Sequence, residues 1–204
     1  MGSGPSKNLI IKTTKNKIVA ISNIYHFAEN LLPKQVGFTS AYLIQSAPNK
    51  ISFYVRCPDH KAELVMHAMK KPNKNYRIFN KLNKPIGWLK NDGPLKHSRG
   101  TYQLYAKKGK KKSRGIIEFV KTATKRVKTH IHIPGHVMFE SALFMNPNPG
   151  RQRIKKSHKN TNIVDGNKLI WSLVKIDQNQ FRLDCRYPFS WLQAFGFGVV
   201  AMDR

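Results

Sequence analysis

The run HIHIPGH places three histidines, His130, His132 and His136, within seven residues. His130 and His132 are two apart, so on a strand they share one face, which is the spacing that brings two imidazoles to one metal ion. No cysteine or acidic residue stands beside them to complete a ligand set. The run is therefore read as solvent-facing strand histidines, and neither a metal nor any other cofactor is expected. The ten acidic residues are scattered singly. That distribution supplies no carboxylate pair for general acid/base or two-metal chemistry. No nucleophile elbow, phosphate loop or Ser/His/Asp arrangement stands out. The chain is read as non-enzymatic, with no small-molecule substrate.

Charge is the chemistry that the sequence does carry. Lys and Arg number 37 against 10 Asp and Glu, a formal net charge of +27. The densest run is KKGKKKSR, with Lys107, Lys108, Lys110, Lys111, Lys112 and Arg114 as its charged members. Four more basic stretches cover Lys7–Lys17, Lys70–Lys90, Lys121–Lys128 and Arg151–Lys159. A surplus this large repels itself unless an anionic partner neutralises it. The partners that fit are RNA, an acidic protein surface such as tubulin, or an anionic membrane. A membrane binder needs one basic face, whereas a protein embedded in a polyanion is basic on many, and five stretches favour embedding. The start MGSGPS fits the myristoylation pattern at Gly2, and it also reads as a flexible Gly/Ser-rich start. Cys57 and Cys185 stand far apart in no ligand spacing and are read as reduced thiols of an intracellular protein.

These residues need elements to position them. Residues 1–37 read as a basic arm followed by a short helix, since NIYHFAENLL spaces Ile24, Phe27, Leu31 and Leu32 helically before Pro33. From residue 38 onward the pattern is strands and turns. SAYLIQS and KISFYVRC flank the turn APNK, KNYRIFNK and KPIGWLKND follow, GTYQLYAK and RGIIEFVK flank the basic loop, and KTHIHIPG alternates up to Pro134-Gly135. AELVMHAMK suits a strand or a helical turn. VMFESALFMN continues the β pattern, Asn146–Asn162 reads as an exposed loop, and KLIWSLVKI and QFRLDCRY make a last pair. Trp88, Trp171 and Trp191 read as core or interface anchors rather than base-stacking platforms.

The chain closes on FSWLQAFGFGVVAM, Phe189–Met202, apolar except for Ser190 and Gln193. It is apolar on every face, too long for one strand, and at about 21 Å too short for a bilayer. Pro188 suits a first helical position. An all-apolar helix must be buried on all sides. The expected fold is therefore mainly β: a closed antiparallel β-barrel around a central hydrophobic C-terminal helix. Gly196, Gly198, Ala194 and Ala201 would let strands approach closely, and Gln193 would need a buried partner.

The ending DCRYPFSWLQAFGFGVVAMD resembles the C-terminal signature of the tubby family, through Asp184, Tyr187, Pro188, Leu192, Gln193, Ala194 and Phe195. IPG at Ile133–Gly135, PIGWLKND, NYRI and AYLIQSAPNKISFYV resemble further family segments in order, so the resemblance covers Phe38 to Arg204. It implies the same barrel around a helix. It also implies binding of phosphatidylinositol bisphosphate and adaptor work at cilia. The family's headgroup site, carried over, falls on Asn75, Lys90, Arg126 and Lys128, with Trp88 at the first of two basic positions. The chain is shorter than the family's domain, by about one hairpin near Asn146–Asn162. The function expected is a structural or adaptor subunit on a polyanionic assembly, an axonemal microtubule or a ribonucleoprotein. The alternative is a phosphoinositide-binding peripheral membrane adaptor. Either places the protein in the cytoplasm, cilium or a ribonucleoprotein particle, or on a membrane surface.

Overall fold

A computed structural model describes residues 39–56, 62–93, 98–106, 112–122, 127–142 and 154–203. The arm and short helix expected over 1–37, Gly2 and Cys57 lie outside these residues. The described chain forms strands β1 (Thr39–Ala47), β2 (Lys50–Arg56), β3 (Ala62–Lys70), β4 (Tyr76–Asn80), β5 (Pro85–Gly93) and β6 (Ser98–Tyr105). It continues with β7 (Gly115–Lys121), β8 (Val127–His132), β9 (Phe139–Ala142), β10 (Thr161–Asp165), β11 (Lys168–Asp177), β12 (Gln180–Cys185) and helix α1 (Trp191–Asp203). Every strand pairs antiparallel with its sequence neighbours. β1 closes on β12, from Thr39 opposite Cys185 to Ile44 opposite Gln180. A closed barrel has no free edge to recruit other chains.

Side-chain alternation sorts each strand into an inner and an outer row. Tyr76 and Ile78 on β4, Leu89 on β5, Leu104 on β6, Ile117 on β7 and Ile131 on β8 point inward and are at most 1% exposed. They meet α1, in which every residue from Trp191 to Met202 is buried. The ring of Phe53 lies 5.2 Å from those of both Trp191 and Phe195. Trp171 donates its indole N–H to the carbonyl of Ala194 at 3.3 Å. The expected small residues matter unequally. A Cβ on Gly198 would sit 2.8 Å from Leu43, whereas one on Gly196 would meet Leu104 at an ordinary 3.4 Å.

The helix ends are satisfied from both sides. Ser190 and Gln193 form a reciprocal cap: the Ser190 N–H donates to Gln193 Oε1 at 2.8 Å, and the Gln193 N–H donates to Ser190 Oγ at 3.2 Å. Gln193 Nε2 also donates to the Arg114 carbonyl at 2.6 Å, the buried partner that this side chain required. At the other end the Lys159 ammonium donates to the Met202 carbonyl, and Lys70 pairs with Asp203 at 2.8 Å. Both cations suit the negative end of the helix dipole.

Two expectations are revised and one open alternative is resolved. The helix starts at Trp191 rather than at Pro188 or Phe189, because Ser190 offers the capping oxygen that Pro188 lacks. AELVMHAMK is strand β3 throughout, held between β2 and β4. The loop expected to reach Asn162 ends earlier, since β10 begins at Thr161 and both Thr161 and Asn162 are buried.

Two outcomes test the central helix. Phe195→Asp places an unpaired charge at a site of 0% exposure, at a cost of several kcal/mol. That variant should lose soluble folding, with circular dichroism and the soluble fraction as readouts. Gly196→Ala has room and gains up to about 1 kcal/mol of helix propensity. Gly198→Ala must displace the buried Leu43, so its Tm should fall below that of Gly196→Ala.

Candidate anion-binding surface

The residues matched to the family's headgroup site do not all converge. Asn75 directly precedes β4 and reaches the neighbouring β5, where its Oδ1 accepts the Asn91 N–H at 2.8 Å. Its Nδ2 donates to the Pro72 carbonyl at 3.1 Å. Asn91 in turn donates from Nδ2 to the Asn73 carbonyl at 3.2 Å, so the pair staples the β3–β4 turn to β5. Lys90 is exposed on the outer row of β5 and pairs with Asp92 at 2.7 Å. That carboxylate holds the Lys90 ammonium above its ordinary range. Asn75 and Lys90 therefore share one region. Lys128 does not join them: β6 and β7 lie between β5 and β8, and Lys128 faces Glu140 at 3.4 Å. Arg126 lies outside the described residues, as do Lys107, Lys108, Lys110 and Lys111. Lys112 and Arg114, at the foot of that loop, are exposed.

The acids have little charge left to neutralise the rest. Asp92, Glu140, Asp177, Asp184 and Asp203 each pair with a basic residue, and these are half of the ten acids in the chain. The Arg182–Asp184 pair, at 2.9 Å, is buried on the outer row of β12. Cys185 is buried, and burial together with the neighbouring Asp184 pushes its thiol far above the ordinary range. It is an inert packing residue.

The histidine run resolves as alternation requires. Thr129 and Ile131 are buried, His130 and His132 face outward, and the strand ends before the turn at Pro134-Gly135. In register, His130 lies between Glu118 on β7 and Glu140 on β9, with its Nε2 3.8 Å from Glu140 Oε1. Sequence reading missed these acids because only strand pairing brings them alongside. Among the described residues, no group of three or more His, Cys, Asp or Glu is arranged to hold a metal ion.

Two further features had no sequence signal. The first is a set of aromatic and cationic side chains on the outer face of β3–β6. His67 stacks on Phe79, with centroids 5.2 Å apart and planes inclined by 13°. The Arg77 guanidinium lies 5.4 Å from the centre of the same Phe79 ring. Arg77 stands directly opposite Trp88, and Trp88 directly opposite Tyr105. The second is a ring of exposed apolar side chains. Leu82, Val137, Met138 and Tyr187 are 45 to 72% exposed, and all sit in connections at the end of the barrel where the Lys112–Arg114 loop emerges. The ring of Tyr187 packs edge-on against His136 at 5.5 Å. No helix among the described residues is long and apolar enough to cross a membrane.

Comparison with models of known families finds no match to this chain, and comparison with curated proteins finds none either.

His67 yields a pH dependence. Burial, and secondarily the charge of Lys50, lower its pKa from the ordinary 6.5. The unfolded chain takes up the proton near that value while the native state still excludes it. Stability is therefore full above about 6.5 and falls as pH drops towards the depressed native value. His67→Phe keeps the ring stack and removes the titration. Its Tm should fall less than the parent's between about pH 7.5 and about pH 5 in thermal melts.

Proposed function

We propose that this chain is a non-enzymatic structural or adaptor subunit, a divergent tubby-like barrel held on a polyanionic assembly such as a ribonucleoprotein or an acidic microtubule surface. The observation that carries the reading is the placement of charge. Exposed basic residues occur on or beside many different strands, among them Lys84, Lys90, Lys112, Lys128, Lys156 and Lys168. Half of the few acids are already engaged in ion pairs. A polyanion that wraps the barrel neutralises charge on several sides at once. Such binding is largely ion release and screens with salt. Association with the native assembly should weaken by roughly a thousand-fold between about 50 and about 200 mM salt. Single changes such as Lys128→Ala and Lys168→Ala should each cost little. Sedimentation of the native complex across a salt series, with and without nuclease, measures this. Salt-insensitive binding would sink the reading.

The apolar ring supports a second reading, a phosphoinositide-dependent membrane adaptor. Leu82, Val137, Met138 and Tyr187 stand at one end, with Lys84, Lys112, Arg114 and Lys168 near them, a mix that suits an anionic lipid surface. Under this reading Val137→Asp and Met138→Asp abolish flotation with phosphatidylinositol bisphosphate vesicles, and Lys90→Ala weakens it more than Lys168→Ala does.

A further inference from the structure

We propose that the outer face of β3–β6 is a stacking platform for single-stranded nucleic acid, with Phe79, Trp88 and Tyr105 as the base-stacking side chains and Arg77 and Lys90 beside them. This rests on the polyanion reading and names the polyanion and its site.

The geometry is set by register. Ala68, Ile78, Gly87, Leu89 and Leu104 fill the inner rows of these strands, so the residues between them face out. Arg77, Trp88 and Tyr105 lie directly opposite one another on three adjacent strands, a row spanning two strand spacings, or roughly 10 Å. Phe79 stands one outward position along β4 from Arg77, roughly 7 Å away, and is backed by the parallel His67 ring. Three aromatic side chains and a guanidinium therefore lie on one twisted sheet face, at spacings that suit successive unstacked bases. A sheet surface of this kind is a known solution for stacking two or three bases. Gln103, whose Oε1 accepts from the Tyr105 hydroxyl, stands directly opposite Lys90 and adds an amide for base edges.

Charge complements the rings. Lys90 and Lys84 are exposed on β5 and in the turn before it, with Lys81 close by. Between Ala62 and Ala106 the sequence contains only Glu63 and Asp92 as acids. Nucleic acid fits better here than a membrane. The rings stand on the barrel wall, interleaved with Arg and Gln, whereas the aliphatic tips that would enter a bilayer stand at the barrel end. Cross-strand pairing alone would stabilise the sheet, but it does not account for a guanidinium, an amide and three half-exposed aromatics grouped on one outer face.

The test uses the 204-residue chain with fluorescein-labelled 12-nucleotide oligouridine and oligothymidine, read by anisotropy and by quenching of tryptophan emission. Trp88→Leu and Tyr105→Leu keep apolar bulk and remove a stacking ring, and each should weaken binding roughly ten-fold or more with little change in salt slope. Trp88→Leu should also abolish most of the quenching. Lys168→Ala, on β11, should change affinity less than two-fold, and matched thermal melts keep folding out of the comparison. Losses equal to that of Lys168→Ala would mean diffuse charge attraction, which overturns the platform and leaves the polyanion reading standing. Failure to bind either oligonucleotide, while binding to acidic tubulin tails stays salt-sensitive, overturns the platform alone. Binding to phosphoinositide vesicles but not to oligonucleotides favours the membrane reading. Failure to bind any polyanion removes both the platform and the reading beneath it.

Discussion

Helix α1 has no face that water can wet. Its twelve buried residues, Trp191 to Met202, carry apolar or small side chains all round, with Gln193 as the one polar exception. Such a helix is stable only inside something, and the strands of this barrel have an inner row that is stable only around something. Each satisfies the other. The barrel's diameter, the inward run of Leu43, Phe53, Ile78, Leu104 and Leu183, and the tight passage of Leu43 past Gly198 follow from this enclosure. Among the described residues the inner rows and α1 pack against each other, so the outer rows and the two ends are the surfaces that face a partner.

The ends are where the enclosure meets water, and their chemistry differs. At the N-terminal end of α1, Ser190 and Gln193 close the cap, and Gln193 reaches across to the Arg114 carbonyl, tying the helix to the base of the most basic loop. At the C-terminal end, Lys70 and Asp203 sit beside Tyr76 and Tyr102. Burial, with the Asp203 carboxylate near, pushes the Tyr102 phenol up to about 12. Lys70 and Lys159 at that end serve the end of the helix. Lys159, bonded to the Met202 carbonyl, is thus a structural lysine within one of the basic stretches. Charge count alone overstates how many lysines are available to a partner.

The outer wall is uneven in a way that matters for binding. Arg182 and Asp184 on β12, and Ser172 and Val174 on β11, are on the outer row yet buried. On β4–β6 the corresponding positions hold half-exposed rings and the exposed Lys90. Under the proposed reading, net charge would draw a polyanion to the whole molecule, while the rings of Phe79, Trp88 and Tyr105 stand on one part of the wall. In that proposal long-range charge would set whether the chain associates, and the local face what it holds and in which register.

The barrel around a buried helix was legible in the sequence because it rests on periodicity and on one exclusion: an all-apolar stretch too short for a bilayer and too long for a strand. The strand pairs flanking short turns, the outward histidines at His130 and His132, and the need of Gln193 for a partner were legible for the same reason, since each depends on near neighbours in the chain. The start of α1 and the onset of β10 were misjudged, because a cap and a ladder are decided by which oxygen or strand lies alongside. The candidate surface was the least legible. Asn75 and Lys90 are fifteen residues apart in sequence and come together only through β4–β5 pairing. Lys128 is set apart from them by two intervening strands. Phe79 carries no signal of its own within KNYRIFNK, and Trp88 reads in sequence as an anchor. Only the register that puts Arg77, Trp88 and Tyr105 in one row, facing away from α1, turns them into a surface. Sequence by itself determined what had to be buried and how much charge had to be met. Tertiary structure decided which side chains share a face, because that depends on pairing between segments whose spacing in the chain carries no record of it.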